Sequence, residues 1–291
     1  MIVPDIVLNT QGRLYHIDLA PGDVAETIIL VGDPGRASLI AKYFDSIEYE
    51  GSNREIRTFT GLLGKKRISV ISTGMGTDNI EIVVTELDAL FNLDLKTRTV
   101  KEKLTSLKLI RIGTSGGLQE DIPVVDSTMV SAYGLGLDGL LYFYDQGPFV
   151  MEREMTSSFI NQMEYDPYLP RPYAVKASDH LIRTIAGDWP RGITLTAPGF
   201  YAPQGRKMRL KIVDEHAIEK ASRFKYNGYR VTNFEMETSA LYALSALLGH
   251  QAMTVCDIIA NRKTGSFSSD YKASMKKLIE EMLERIIANL P

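Results

Sequence analysis

Three apolar runs along the chain end in glycine-bearing turns: "TIILVGDPGR" (Thr27 to Arg36), "RISVISTGMGTDN" (Arg67 to Asn79) and "KLIRIGTSGGL" (Lys108 to Leu118). Runs without polar alternation suit central strands covered on both faces. Helical periodicity marks "RASLIAKYF" (Arg36 to Phe44), "NIEIVVTELDALF" (Asn79 to Phe91) and "METSALYALSALLGH" (Met236 to His250). In the last of these, Leu241, Leu244, Leu247 and Leu248 follow the spacing of one buried stripe. A further amphipathic helix, "YKASMKKLIEEMLERIIANL", runs from Tyr271 to Leu290. Strand alternating with helix predicts an α/β fold with a mixed or parallel central sheet. No repeat, low-complexity tract or linker divides the pattern, so residues 1–291 read as a single domain. Asp94 to Lys108, "DLKTRTVKEKLTSLK", holds five basic and two acidic residues and no aromatics, and reads as a solvated surface insertion between a helix and a strand.

Composition removes several classes of function. The 291 residues are 44% hydrophobic, enough for a large core. With 33 Lys and Arg against 36 Asp and Glu, the net charge of −3 offers no general field for nucleic acid or an anionic membrane. Any anion must be held by a local site. No stretch reaches the roughly 18 apolar residues of a spanning helix, and residues 1–20 lack a signal peptide's basic start and apolar run; a soluble, cytoplasmic protein is expected. Cys256 is the only cysteine, which excludes an internal disulfide and a thiolate metal cluster. His16, His180, His216 and His250 are scattered without metal-binding spacing, so no metal site is expected.

Four motifs carry chemistry. Gly32-Asp33-Pro34-Gly35-Arg36 lies between a strand and a helix, where backbone N–H groups and the positive helix end favour an anion; it also serves as an ordinary turn. It matches neither a dinucleotide fingerprint nor a P-loop. Arg111 stands inside an apolar strand ahead of Thr114 and a glycine turn, and a buried arginine must face a carboxylate or a bound anion. "GFYAPQGR" (Gly199 to Arg206) offers a flat ring in Phe200, an amide in Gln204 and a guanidinium in Arg206, which suits a planar heterocycle or simply a surface loop. In "NFEMET" (Asn233 to Thr238), Glu235 and Glu237 flank Met236 where a strand gives way to a helix. Thr232 with Glu235 fits a capping box, while two carboxylates at i and i+2 share a strand face and suit vicinal hydroxyls.

With "YHIDL", "GDPGR", "SNREI", "STGMG", "RIGTSGGL", "FYAPQGR", "NFEMET" and "IIANR" in this order, the chain resembles the nucleoside phosphorylase family over essentially its whole length, and within it the uridine phosphorylases. The resemblance implies a three-layer α/β/α sandwich with a mixed, distorted, barrel-like central sheet. Phosphate, the co-substrate, would lie among Gly32, Arg36, Arg111 and Thr114, with Arg54 reaching in from a neighbouring subunit. The base would meet Phe200, Gln204 and Arg206, with Ile259 and Ala260 lining its pocket. The sugar would meet Met236, Glu237 and the partner's His16, with Glu235 partly structural. Because Arg54 and His16 are borrowed, a homodimer is the minimal unit, and a hexamer of three dimers is the larger assembly this allows. No cofactor is implied.

The implied reaction is phosphorolysis of uridine, and of deoxyuridine or thymidine, to free base and (deoxy)ribose 1-phosphate in nucleoside salvage. Attack on C1′ gives the sugar oxocarbenium character, which phosphate stabilises while the base leaves with negative charge. Arg206 and Gln204 would meet that charge, Arg111 and Glu237 would act at phosphate and sugar, and His16 would orient the 5′-hydroxyl. Asp257 departs from the uridine pattern, falling where purine-specific relatives carry an acid that protonates the base; a purine nucleoside phosphorylase is the alternative. A nucleosidase that activates water has no use for Arg36, Arg54 and Arg111, and a non-catalytic nucleoside-binding protein is the reading from another class.

Overall fold

The computed structural model describes residues 2–3 and 5–290. Strand β1 (Thr27–Val31) leads into α1 (Pro34–Ala41), then the meander β2 (Ser46–Asn53), β3 (Ile56–Leu63) and β4 (Lys66–Ser72). Next come α2 (Thr77–Asn92), the hairpin β5 (Leu93–Asp94) and β6 (Thr99–Val100), β7 (Lys108–Gly117) and β8 (Thr128–Gly136). Helices α3 (Gly147–Val150) and α4 (Arg153–Met163) precede β9 (Tyr173–Lys176), α5 (Asp179–Ile185) and β10 (Arg191–Thr196). The chain continues through α6 (Ala217–Arg223), β11 (Lys225–Tyr226), β12 (Tyr229–Glu235), α7 (Thr238–Leu248), β13 (Gln251–Asn261) and α8 (Tyr271–Asn289). The three apolar runs form β1, β4 and β7, and the four periodic segments form α1, α2, α7 and α8.

The sheet runs β11-β12-β10-β8-β13-β7-β1-β4-β3-β2, with β9 on β8. It does not stay open. β12 turns back to pair antiparallel with β7, Asn233 opposite Gly117 and Phe234 opposite Gly116, so β7, β12, β10, β8 and β13 close into a distorted barrel. Parallel pairs (β7 with β13, β8 with β10, β10 with β12) mix with antiparallel ones (β8 with β13) around the circuit, and helices cover both sides in the three-layer arrangement. Register shifts at Ile258/Ala260 and Gly192/Ile193 supply the bends that closure demands.

Two large apolar clusters hold this frame, with a small third one of Ile122, Met129 and Ile258. The larger joins β1, β4, β7, β13, α2, α7 and α8; a smaller one sits under β10, β12, α4 and α6, around Phe159, Phe224 and Leu195. At 25 cal/mol per Å², each buried Leu, Ile or Phe contributes on the order of 2 kcal/mol to this frame.

Two local expectations change. Helix α7 begins at Thr238, with Glu237 as its N-cap, so Thr232 is not the capping residue; it lies inside β12 and bonds Asn233 Oδ1 at 2.7 Å. Residues 94–108 contain the β5–β6 hairpin, whose Arg98 carbonyl accepts from Val3 N–H at 2.8 Å, and Leu107 at its end is fully buried. The hairpin is exposed, but its return enters the core.

Candidate active site

A cavity of about 560 Å³ opens beside the C-terminal ends of β1, β4, β7, β12 and β13, the end at which α/β sheets bind ligands. At one end stands the start of α1. Asp33 caps the helix by accepting Gly35 N–H at 2.8 Å, and Pro34 occupies the first turn, where a missing N–H costs nothing. Arg36 follows in that turn and lines the cavity with Gly32. Its guanidinium donates to the Ile112 carbonyl at 3.2 Å and, among the described residues, forms no ion pair. Burial lowers its pKa, and the neighbouring charge of Arg111 lowers it further. An arginine stays charged all the same, so unspent positive charge faces this end of the cavity. Thr114, half-buried on β7, lines the cavity as well.

Arg111 has the opposite environment. Its side chain folds back along β7 over Gly113, where a Cβ would lie 2.1 Å from Nη1; only glycine leaves that space. The guanidinium then meets Glu235 at 3.2 Å and Glu237 at shorter range. The buried arginine of the sequence therefore faces carboxylates. Those two carboxylates are not equivalent. Glu235 accepts from Thr196 Oγ1 at 2.7 Å and from the N–H groups of Glu237 and Thr238 at 3.0–3.1 Å, so it is spent on holding the start of α7. Glu237 accepts from Gly76 N–H at 2.9 Å and from Arg111, and it lines the cavity next to Met236. Gly76 has φ 102°, a conformation that L side chains rarely adopt, and that turn aims its N–H at Glu237. Burial pushes the Glu237 carboxyl up, opposed by Arg111 and reinforced by Glu235.

The far end is aromatic and basic. Gln204 is buried, and its Oε1 accepts from Arg206 Nη1 at 2.6 Å. The Arg206 guanidinium lies 3.8 Å from the Phe200 ring centroid and also donates to the Phe200 carbonyl. Arg262 donates to the Gln204 carbonyl at 2.9 Å. Burial and then Arg262 pull the Arg206 pKa down to about 10, because among the described residues no carboxylate pairs with either guanidinium. Ile259 and Ala260, at the β13 bulge, form the apolar wall with Phe234 and Phe267. Phe267, an isolated apolar residue beside a turn, carried no signal in the sequence, while Met75 and Phe234 stood only as members of "STGMG" and "NFEMET" with no role attached. The sequence offered Arg262 as the last residue of "IIANR" and as a possible ion-pair partner of Asp257.

Three residues singled out in the sequence are absent from the cavity wall. His16 bonds Glu86, and Arg54, exposed and with φ 53°, lies over the Tyr15 ring; neither lines this chain's own cavity, although Glu55, next to Arg54, does. Asp257 is turned outward to α8. Ser274 Oγ donates to it at 2.7 Å, Arg262 does not pair with it, and burial raises its pKa. None of the residues 94–108 lines the cavity, and among the described residues no cluster of three or more His, Cys, Asp or Glu is placed to hold a metal. No helix among them is long and apolar enough to cross a membrane.

Comparison with known proteins bears on this geometry. The family model described as the phosphorylase superfamily matches residues 26–288. A uridine phosphorylase of Thermococcus kodakarensis is 31% identical over 259 residues, covering 88% of this chain and 80% of that protein. A DeoD-type purine nucleoside phosphorylase of Bacillus velezensis is 28% identical over 258 residues, 86% of this chain and 88% of that one. Among solved structures, a Trypanosoma brucei nucleoside phosphorylase described as showing uridine phosphorylase activity superposes with a TM-score of 0.84 at 28% identity, covering 98% of this chain and all of the other.

Proposed function

The chain belongs to the phosphorylase superfamily and is a pentosyltransferase, and from that premise we propose that it splits uridine, and also deoxyuridine and thymidine, with phosphate into free base and (deoxy)ribose 1-phosphate. The observation that carries this reading is a single cavity with uncompensated arginines at both ends and a carboxylate between them. Phosphate binds at Gly32, Arg36, Arg111 and Thr114. Glu237 accepts from the ribose hydroxyls, with Met236 against the sugar. The pyrimidine stacks on Phe200 and is read by Gln204, which can both donate and accept. As the glycosidic bond breaks, charge spreads over the two uracil carbonyls and Arg206 meets it, so no acid is required at the base.

Purine nucleoside phosphorylases are also among the relatives, which makes a purine the second reading. A departing purine needs a proton, and Asp257, held by Ser274 against α8, is turned away from the cavity. That favours the pyrimidine. The site is shared: His16 and Arg54, outside their own chain's cavity, serve a second copy, which makes a cytoplasmic homodimer the minimal unit.

Base release from uridine, thymidine, inosine and adenosine, each with and without phosphate, tests the proposal. Strict phosphate dependence with uridine preferred is expected; release at the same rate without phosphate, or inosine as the better substrate, contradicts it. Mixing Arg54→Ala with Arg206→Ala subunits tests the sharing, since a hybrid dimer holds one intact site. Activity that stays at the level of the parents after demonstrated subunit exchange removes the shared site.

A further inference from the structure

Glu86 lies in the middle of α2, 70 residues from the histidine it holds. Its Oε1 is 2.5 Å from His16 Nδ1, and its two oxygens accept from His16 N–H at 3.1–3.2 Å and Ile17 N–H at 2.9 Å. The side chain is 14% exposed. One carboxylate is thus committed to a single short stretch of chain. An ionised carboxylate only accepts, so Nδ1 carries the proton, and in the neutral ring that leaves Nε2 as a hydrogen-bond acceptor.

The surroundings link His16 to Arg54 through Asn53 and Tyr15. Asn53 Nδ2 donates to the carbonyls of Tyr15 (3.3 Å) and His16 (2.9 Å), the Tyr15 and His16 rings meet edge-on at 5.0 Å, and Arg54 covers Tyr15 at 5.7 Å. Helix α2 connects this unit to its own chain's cavity. Its N-cap, Gly76, holds Glu237, and Glu86 lies ten residues further on, about 15 Å along the axis.

We propose that Glu86 is a positioning residue for the neighbouring subunit's reaction: it fixes the tautomer and orientation of His16 so that Nε2 accepts the 5′-hydroxyl of the nucleoside bound there. This rests on the reading that His16 serves that hydroxyl in trans. Ordered this way, the imidazole loses no freedom when the substrate arrives.

Kinetics on uridine and 5′-deoxyuridine decide, because only the first carries the hydroxyl. His16→Ala, the control for the underlying reading, lowers kcat/KM for uridine about tenfold and leaves 5′-deoxyuridine within about twofold. Glu86→Ala reproduces that selective loss, and the double variant loses no more than His16→Ala alone, as expected of two residues acting as one unit. Glu86→Gln keeps an acceptor for the two N–H groups and shows a smaller loss with the same selectivity; it carries the test if the alanine variant does not fold. A selective His16→Ala with Glu86 variants that lose both substrates equally, or lose nothing, overturns the role of Glu86. An unselective His16→Ala overturns the 5′-hydroxyl contact itself.

Discussion

Arg111 and Arg206 share one cavity and differ in almost every physical respect. Arg111 is 4% exposed; burial alone would lower its pKa, but Glu237 and Glu235 outweigh burial and hold it up. Arg206 is half-buried, stacked on Phe200, and pulled down to about 10 by burial and Arg262. The first guanidinium is balanced by its two carboxylates, which fix both where it meets the phosphate and where Glu237 stands. The second keeps its charge unspent, and unspent charge in a partly dry site interacts most strongly with charge that appears during a reaction.

The comparison breaks most visibly at Arg111. Arg111→Ala strands two buried carboxylates, so a loss of about 3–5 kcal/mol in denaturant unfolding is expected, with activity down by more than about 100-fold. An unchanged unfolding midpoint would show that the pair is not what orders this end. Arg206→Ala reverses the ratio: about 100-fold in kcat, roughly 2.7 kcal/mol, against less than about 1 kcal/mol of stability. Equal damage to both quantities would erase the distinction.

Glu237→Gln is expected to cost uridine about tenfold more than deoxyuridine, which lacks the 2′-hydroxyl. Burial raises the Glu237 pKa, so its acceptor is lost as pH falls through a value above the ordinary carboxylate range. The acid limb of the wild-type rate profile should therefore lie above that range and vanish in Glu237→Gln. A profile that the substitution does not alter would leave Glu237 with a structural role alone, holding Gly76 and Arg111. The smallest effect belongs to Asp257→Asn, within about threefold on uridine, because its carboxylate contacts Ser274 rather than the cavity. Loss of an inosine activity in this variant would instead place an acid at the base.

What the sequence made readable was local. Apolar runs ending in glycine gave β1, β4 and β7, because a strand covered on both faces must be apolar throughout. Glu235 and Glu237 were visible as a pair, and their division of duties came only from the resemblance, because the contacts behind it, to Thr196 and Gly76, are distant in the chain. The same limit hid Glu86, whose partner lies 70 residues away, and the outward turn of Asp257, which follows from strand alternation next to a bulge. Leu107 looked like part of a solvated insertion because the charges around it dominate the window, although it is fully buried. Local pattern sets elements; long-range pairing sets roles.

The claim that Arg206 answers the charge on the departing base is tested most directly by comparing uridine with 5-fluorouridine in wild type and Arg206→Ala. Fluorine withdraws electrons and makes the base a better leaving group, so it needs less help from the protein. Arg206→Ala should then cost uridine about 100-fold and 5-fluorouridine clearly less, steepening the dependence of rate on leaving-group acidity. An identical loss for both bases would mean that Arg206 only binds the pyrimidine, and would contradict the account.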